Sequence, residues 1–137
     1  MAQGISTSGV AELAYLGDAV FELMVREKLL SENIQFRTLN TRARSYVAAP
    51  AQAAMYHKIF PALTEAEQAI MKRGRNLHNN SRAKNADVSE YRHATGLETL
   101  FGWLYQSNEK ARISEIFALC IGEKNDEAKI QNPSTQP

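Results

Sequence analysis

The stretch Val10-Ala11-Glu12-Leu13-Ala14-Tyr15-Leu16-Gly17-Asp18-Ala19-Val20-Phe21-Glu22-Leu23-Met24-Val25-Arg26-Glu27-Lys28-Leu29-Leu30 decides the fold. It is rich in Leu, Ala, Glu, Met and Arg, which lose little rotamer freedom in a helix, and Gly17 is its one breaker. A helix from Val10 to about Leu30 follows. On a helical wheel Asp18 falls on the side of Ala11, Ala14, Phe21, Val25 and Leu29. Its neighbours one turn away are Ala14, Tyr15, Phe21 and Glu22, and none is a cation. Asp is also a poor residue for a helix interior, because its side chain competes for backbone groups. A carboxylate among apolar neighbours costs free energy unless it is paired, hydrogen-bonded or metal-bound.

A second stretch repeats the pattern. In Thr95-Gly96-Leu97-Glu98-Thr99-Leu100-Phe101-Gly102-Trp103-Leu104-Tyr105, the helical neighbours of Glu98 are Ala94, Thr95, Phe101 and Gly102, again without a cation. Glycine disfavours a helix interior, so Gly17 beside Asp18 and Gly102 one turn beyond Glu98 point to close backbone approach. Two helices crossing at these glycines would bring Asp18 and Glu98 together. Two carboxylates without a cation suit a hard divalent ion such as Mg²⁺, which takes one or two carboxylates, several waters and phosphate oxygens. The alternative is that each acid pairs with an Arg from elsewhere in the fold. Glu22 either adds charge to the pair or faces solvent.

The remaining punctuation is helical too. Pro50 suits the first turn of a helix through Ala51–Ile59, and Pro61 stops it. Thr64-Glu65-Ala66-Glu67 has the form of a capping box, opening a helix that runs to about Arg73 and ends near Gly74. Asp87-Val88-Ser89-Glu90 opens another toward Tyr105, and Ser107 or Asn108 caps a last helix through about Ile121. No segment alternates with period two between hairpin turns. The fold class is all-α, with about five to six helices. The expected layout is a flexible N-terminus over 1–9, one domain over 10–122, and a disordered tail over 123–137, where the sequence turns polar and Pro-containing.

The chain has 137 residues, a hydrophobic fraction of 44% and a net charge of +1, which fit one globular domain. No apolar run approaches the ~18–20 residues of a membrane span. The N-terminus has no basic start or apolar core of a secretory signal. The lone Cys120 cannot close an internal disulfide and reads as a buried structural thiol, so the expected setting is cytoplasmic. The charge is unevenly laid out: residues 1–36 carry a net −3, residues 37–92 a net +6, and the rest a net −2. Between Lys72 and Asn85 lie five bases, four Asn and no acid. Within it Lys72, Arg73, Arg75, Asn76, Arg82, Lys84 and Asn85 are candidate contacts to phosphate and ribose, or else form a solvated polar loop.

Other chemistry finds little support. His57, His78 and His93 are scattered without zinc-site spacing, and no phosphate-loop, nucleophile-elbow or dinucleotide motif occurs. Met24, Met55, Met71 and Trp103 fall on apolar helical surfaces as core or interface residues. Tyr91-Arg92-His93 could stack on RNA or simply form helix surface.

Leu13-Ala14-Tyr15-Leu16-Gly17-Asp18-Ala19-Val20-Phe21-Glu22 resembles the signature helix of the ribonuclease III catalytic domain. More closely, the chain resembles Mini-ribonuclease III, the short bacterial form without a separate double-stranded-RNA-binding domain. Thr64–Glu67, Lys72–Asn76, Lys84–Val88, Tyr91-Arg92 and Thr95–Tyr105 extend the match over roughly residues 10–120 in the expected order. The resemblance implies a ribonuclease III-like homodimer that cleaves double-stranded RNA with Mg²⁺ (Mn²⁺ substituting), acting on precursor large-subunit (23S) ribosomal RNA. Asp18 matches the family's catalytic aspartate and Glu98 its metal-binding glutamate, giving both as catalytic and metal residues. Two further acids of the full-length enzymes do not carry over, since Ala14 and Thr95 stand there. That leaves two carboxylates, which favours one essential Mg²⁺. The competing reading is a non-catalytic RNA-binding protein that keeps the fold. A ribosomal-protein helper leaves no mark in the sequence.

Overall fold

The structure is a computed structural model that describes residues 9–77 and 88–122. Among them are six α-helices: α1 (Val10–Ser31), α2 (Phe36–Val47), α3 (Ala49–Ile59), α4 (Glu65–Arg75), α5 (Val88–Gln106) and α6 (Lys110–Ile121). A single 3-10 turn, Phe60–Ala62, separates α3 from α4. The described residues contain no strand, and none of their helices is long and apolar enough to cross a membrane. The all-α class is thus as expected.

Helix α5 is the axis of the fold. Gly96, Leu97, Thr99, Leu100, Phe101, Gly102 and Leu104 are all buried, covering nearly the whole helix circumference. A helix apolar on every side needs neighbours on every side, and α1, α3, α4 and α6 pack around it. Phe21 of α1 meets Phe101 edge-on at 5.2 Å between ring centroids and Phe117 of α6 at 5.6 Å, tying three helices together. Met55 and Met71 are core residues, and Cys120 is buried with its thiol pushed up to about 12 by desolvation.

Local signals set several boundaries. Pro50 stands in the first turn of α3, where its missing N–H is harmless. Thr64 accepts from the Glu67 N–H at 3.1 Å, and Glu67 accepts from the Thr64 N–H at 2.9 Å. The capping box is therefore closed in both directions. Glu67 also accepts from Arg112 Nε at 2.9 Å and Nη2 at 2.8 Å, so the cap is locked to α6. These Arg112 bonds, foremost among the causes, hold the Glu67 carboxyl below its ordinary pKa.

Three details differ from expectation. Helix α2 was not among the expected helices: it has no side-chain cap to mark its start and fully buries only Ala43, although Phe36, Leu39, Ala43, Tyr46 and Val47 recur at helical spacing and Leu39, Tyr46 and Val47 pack against the core. Gly74 does not end α4, which continues to Arg75. It is buried against α5 instead, where a Cβ would lie 2.6 Å from Thr99 Cβ and 3.0 Å from Gly96 Cα. Glu109, not Ser107 or Asn108, is the N-cap of α6. Asn108 takes the left-handed turn before it, at φ 60°. The Asp87 cap and the two terminal segments lie outside the described residues, apart from Gly9.

Candidate active site

Helices α1 and α5 cross at Gly17 and Gly102. A Cβ on Gly17 would overlap the Glu98 carbonyl oxygen and lie 2.6 Å from its carbonyl carbon. One on Gly102 would lie 2.9 Å from the Leu13 carbonyl carbon and 3.0 Å from the Gly17 nitrogen. Backbones can approach this closely only where no side chain intervenes. Asp18 and Glu98 follow from that crossing, one on each helix, and the charge of Asp18 acts directly on Glu98.

The environments of the two acids differ. Asp18 lies at the edge of the buried arc of α1, with Ala14, Gly17, Phe21 and Val25 buried and Asp18 itself exposed. The wheel's apolar side is therefore right for most of its members, but Asp18 stands on its rim, as does exposed Ala11. Partial burial of the carboxyl, then the Glu22 charge, raises the Asp18 pKa. Glu98 is half-buried and pushed up to about 7, first by desolvation and then by Asp18. The Gln52 carboxamide on α3 partly offsets that rise. Among the described residues neither acid has a cation in an ion pair, whereas Glu22 is paired with Arg26 at 2.8 Å.

Asp18 and Glu98 offer hard oxygen donors, the type that Mg²⁺ takes, and like charges left without a cation favour a divalent ion between them. Three or more such ligands do not gather among the described residues. Water and phosphate oxygens would have to complete the coordination, which fits Mg²⁺ better than an all-protein cage. Ala14 is buried, and the Thr95 hydroxyl donates to the Tyr91 carbonyl at 3.0 Å. Neither position supplies a charged oxygen.

The raised carboxyl gives a stability prediction. The unfolded Glu98 side chain titrates near 4.5 and the folded one near 7, so the folded chain retains its proton longer. Stability is therefore fully present below 4.5 and falls as pH rises through 7. At pH 8 in chelator, Glu98→Gln is expected to exceed wild type by roughly 2–3 kcal/mol, about 10 °C in Tm. Thermal melts at pH 4 and pH 8 check it; an equal Tm at pH 8 would show that the carboxylate is not held at a cost.

The basic candidates are not equivalent. Lys72 and Arg73 are exposed on the last turns of α4. The Lys72 ammonium lies 5.6 Å from the centre of the Phe60 ring. Arg75 is half-buried, donating to Asn76 Oδ1 at 3.0 Å and to the Tyr56 hydroxyl at 3.5 Å. Arg73 thus presents the freer guanidinium, while Arg75 and Asn76 hold each other. Arg82, Lys84, Asn85 and His78 lie outside the described residues. His93 packs 4.5 Å from His57 and 4.6 Å from Tyr56 between ring centroids, with Nδ1 2.7 Å from the Ser89 carbonyl, so it forms part of the helix surface. Sequence reading passed over Gln52, whose only signal is an amide within the Ala-rich run Ala51-Gln52-Ala53-Ala54.

The chain is similar to known proteins over most of its length. The model of the Ribonuclease III domain matches residues 11–109. Mini-ribonuclease 3 of Symbiobacterium thermophilum is 47% identical over 105 residues, covering 76% of this chain and 81% of that one. Mini-ribonuclease 3 of Brevibacillus brevis is 44% identical, covering 81% and 87%. The crystal structure of a Fusobacterium nucleatum protein superposes with a TM-score of 0.74 at 34% identity, over 85% of this chain and 93% of that one. With the signature helix, the later acidic helix and their crossing all in place, the chain belongs to the ribonuclease III family of endoribonucleases.

Proposed function

We propose that this endoribonuclease cleaves double-stranded RNA with Mg²⁺, held by Asp18 and Glu98, with Mn²⁺ able to substitute. The observation that carries the reading is the meeting of the two acids at the α1–α5 crossing without a cation partner among the described residues. A divalent ion bound there would lower the pKa of a water and offset charge on the scissile phosphate. The chain's own part is to fix the two carboxylates on rigid helices and to hold the RNA backbone. Arg73 and Lys72 provide exposed positive charge for that backbone, with Arg82, Lys84 and Asn85 as further candidates in sequence. A-form RNA is recognised through phosphates and 2′-hydroxyls rather than base edges, which suits this Arg, Lys and Asn composition.

The working unit we propose is a homodimer. Tyr15 is 85% exposed, Leu23 54% and Leu30 69%, all on α1, and Phe36 at the start of α2 is 87% exposed. Apolar side chains gathered this way mark an interaction face. A two-fold axis through it would set two acidic sites against opposite strands of a duplex. The substrate we assign, precursor 23S ribosomal RNA in the cytoplasm, rests on likeness to the Mini-ribonuclease 3 proteins.

Incubation of a structured RNA duplex with the protein in Mg²⁺, in Mn²⁺ and in chelator tests the reading. Fragments are expected with either metal and not in chelator; cleavage in chelator, or none with either metal, would overturn it. Arg73→Glu is expected to weaken duplex binding by about tenfold and to lower the salt dependence by about one phosphate contact per subunit, with helicity unchanged. Filter binding at several salt concentrations checks this, and unchanged affinity would place Arg73 away from the RNA.

A further inference from the structure

Gln52 is 2% exposed, on the face of α3 that packs against α5. Its Nε2 has no hydrogen-bond partner among the described residues. A buried donor left unmade is costly, and such groups in folded proteins call for a reason. Helix α3 packs against α5, which carries Glu98, and the Gln52 carboxamide lies near enough to favour the charged form of that carboxyl, while no hydrogen bond from Nε2 is closed among the described residues. Its flanks in α3, Ala53, Met55 and Tyr56, are buried core residues that fix where the amide stands. The donor is thus held beside the acid before the bond is made.

We propose that Gln52 is a positioning residue that donates from Nε2 to one oxygen of the Glu98 carboxylate when a divalent ion occupies the site, leaving the other oxygen turned toward Asp18. This deepens the metal reading above and rests on it. The choice of side chain has a physical logic. A Lys or Arg at this place would neutralise Glu98 and compete with the ion, whereas a neutral amide orients the carboxylate without cancelling its charge. Partners that orient metal ligands commonly matter 10–100-fold in metal affinity. Closure of the bond also satisfies the orphaned donor, so ion binding and the Gln52 contact favour one another.

The test measures Mn²⁺ binding directly, by the loss of the free-ion paramagnetic resonance signal, with the full-length protein and no RNA. Gln52→Met keeps the buried volume and removes the donor. It is expected to bind Mn²⁺ about 10–100-fold more weakly than wild type, with a Tm in chelator equal to or above wild type. Independently, the Gln52 side-chain amide resonances of wild type are expected to shift on Mg²⁺ addition, and not in Glu98→Gln. That measurement needs no Gln52 variant and stands if Gln52→Met fails to fold. Equal Mn²⁺ affinity in the two proteins, or amide resonances indifferent to Mg²⁺ that binds wild type, would overturn the role of Gln52 alone. Wild type that binds no Mn²⁺ would overturn the two-carboxylate reading and this inference with it.

Discussion

Asp18→Asn is expected to cut duplex RNA cleavage by at least about 10³-fold, roughly 4 kcal/mol of transition-state stabilisation, while duplex binding stays within a factor of two or so. Asn keeps the size and the helix position but removes the charge, and a neutral amide oxygen is a far weaker ligand for a hard cation. Among the described residues no third ligand joins these two acids in a metal-binding group. The rest of the molecule gives no reason for collapse, because Asp18 is exposed and none of the described ion pairs depends on it. Removing its charge also relieves the repulsion that raises Glu98. Stability should therefore hold or rise while activity falls. Single-turnover cleavage with filter binding on the same samples checks the split. Full activity in Asp18→Asn would remove Asp18 from the site, and a matched loss of binding would make it an RNA contact instead.

Gly17→Ala is expected to cost about 2–3 kcal/mol net and to lower Tm by roughly 10–15 °C. Alanine is the better helix former by up to about 1 kcal/mol, so helix propensity alone predicts the opposite sign. Packing wins because the new methyl would meet backbone, not a flexible side chain: it overlaps the Glu98 carbonyl oxygen and stands 2.8 Å from the Gly102 nitrogen. Helices α1 and α5 must then move apart. That opens the contact of Phe21 with Phe101 and separates Asp18 from Glu98, so cleavage should fall with stability. Differential melting and a cleavage assay run well below the lowered Tm check both parts. A variant as stable as wild type would show that the crossing yields more easily than its geometry implies.

The two predictions mark where the sequence was legible. Close helix approach was readable because glycine is otherwise costly inside a helix, so Gly17 and Gly102 needed a tertiary reason. The starts of α3 and α4 were readable because Pro50 and the Thr64/Glu67 box act through bonds within one turn. Helix α2 was passed over because no capping side chain marks its start and Arg, Asn, Ser and Thr dilute it, although Phe36, Leu39, Ala43, Tyr46 and Val47 do recur at helical spacing. Gly74 shows the limit of local reading: a helix-ending glycine and a glycine buried at a helix contact look alike in sequence. Glu67 shows it again, because its capping role is local, while its partner Arg112 lies 45 residues away.

The sequence by itself determined an all-α chain, the helices bearing Asp18 and Glu98, and the glycines through which those helices meet. These follow from backbone propensity, capping and periodicity, which act over one or two turns. Only the tertiary structure decided that Asp18 stands at the rim while Glu98 is half-buried, that Arg75 is held by Asn76 and Tyr56 while Arg73 is exposed, and that Gln52 comes to rest near Glu98. Burial and charge at a site depend on which helices pack over it, and that is set by contacts between residues far apart in the chain.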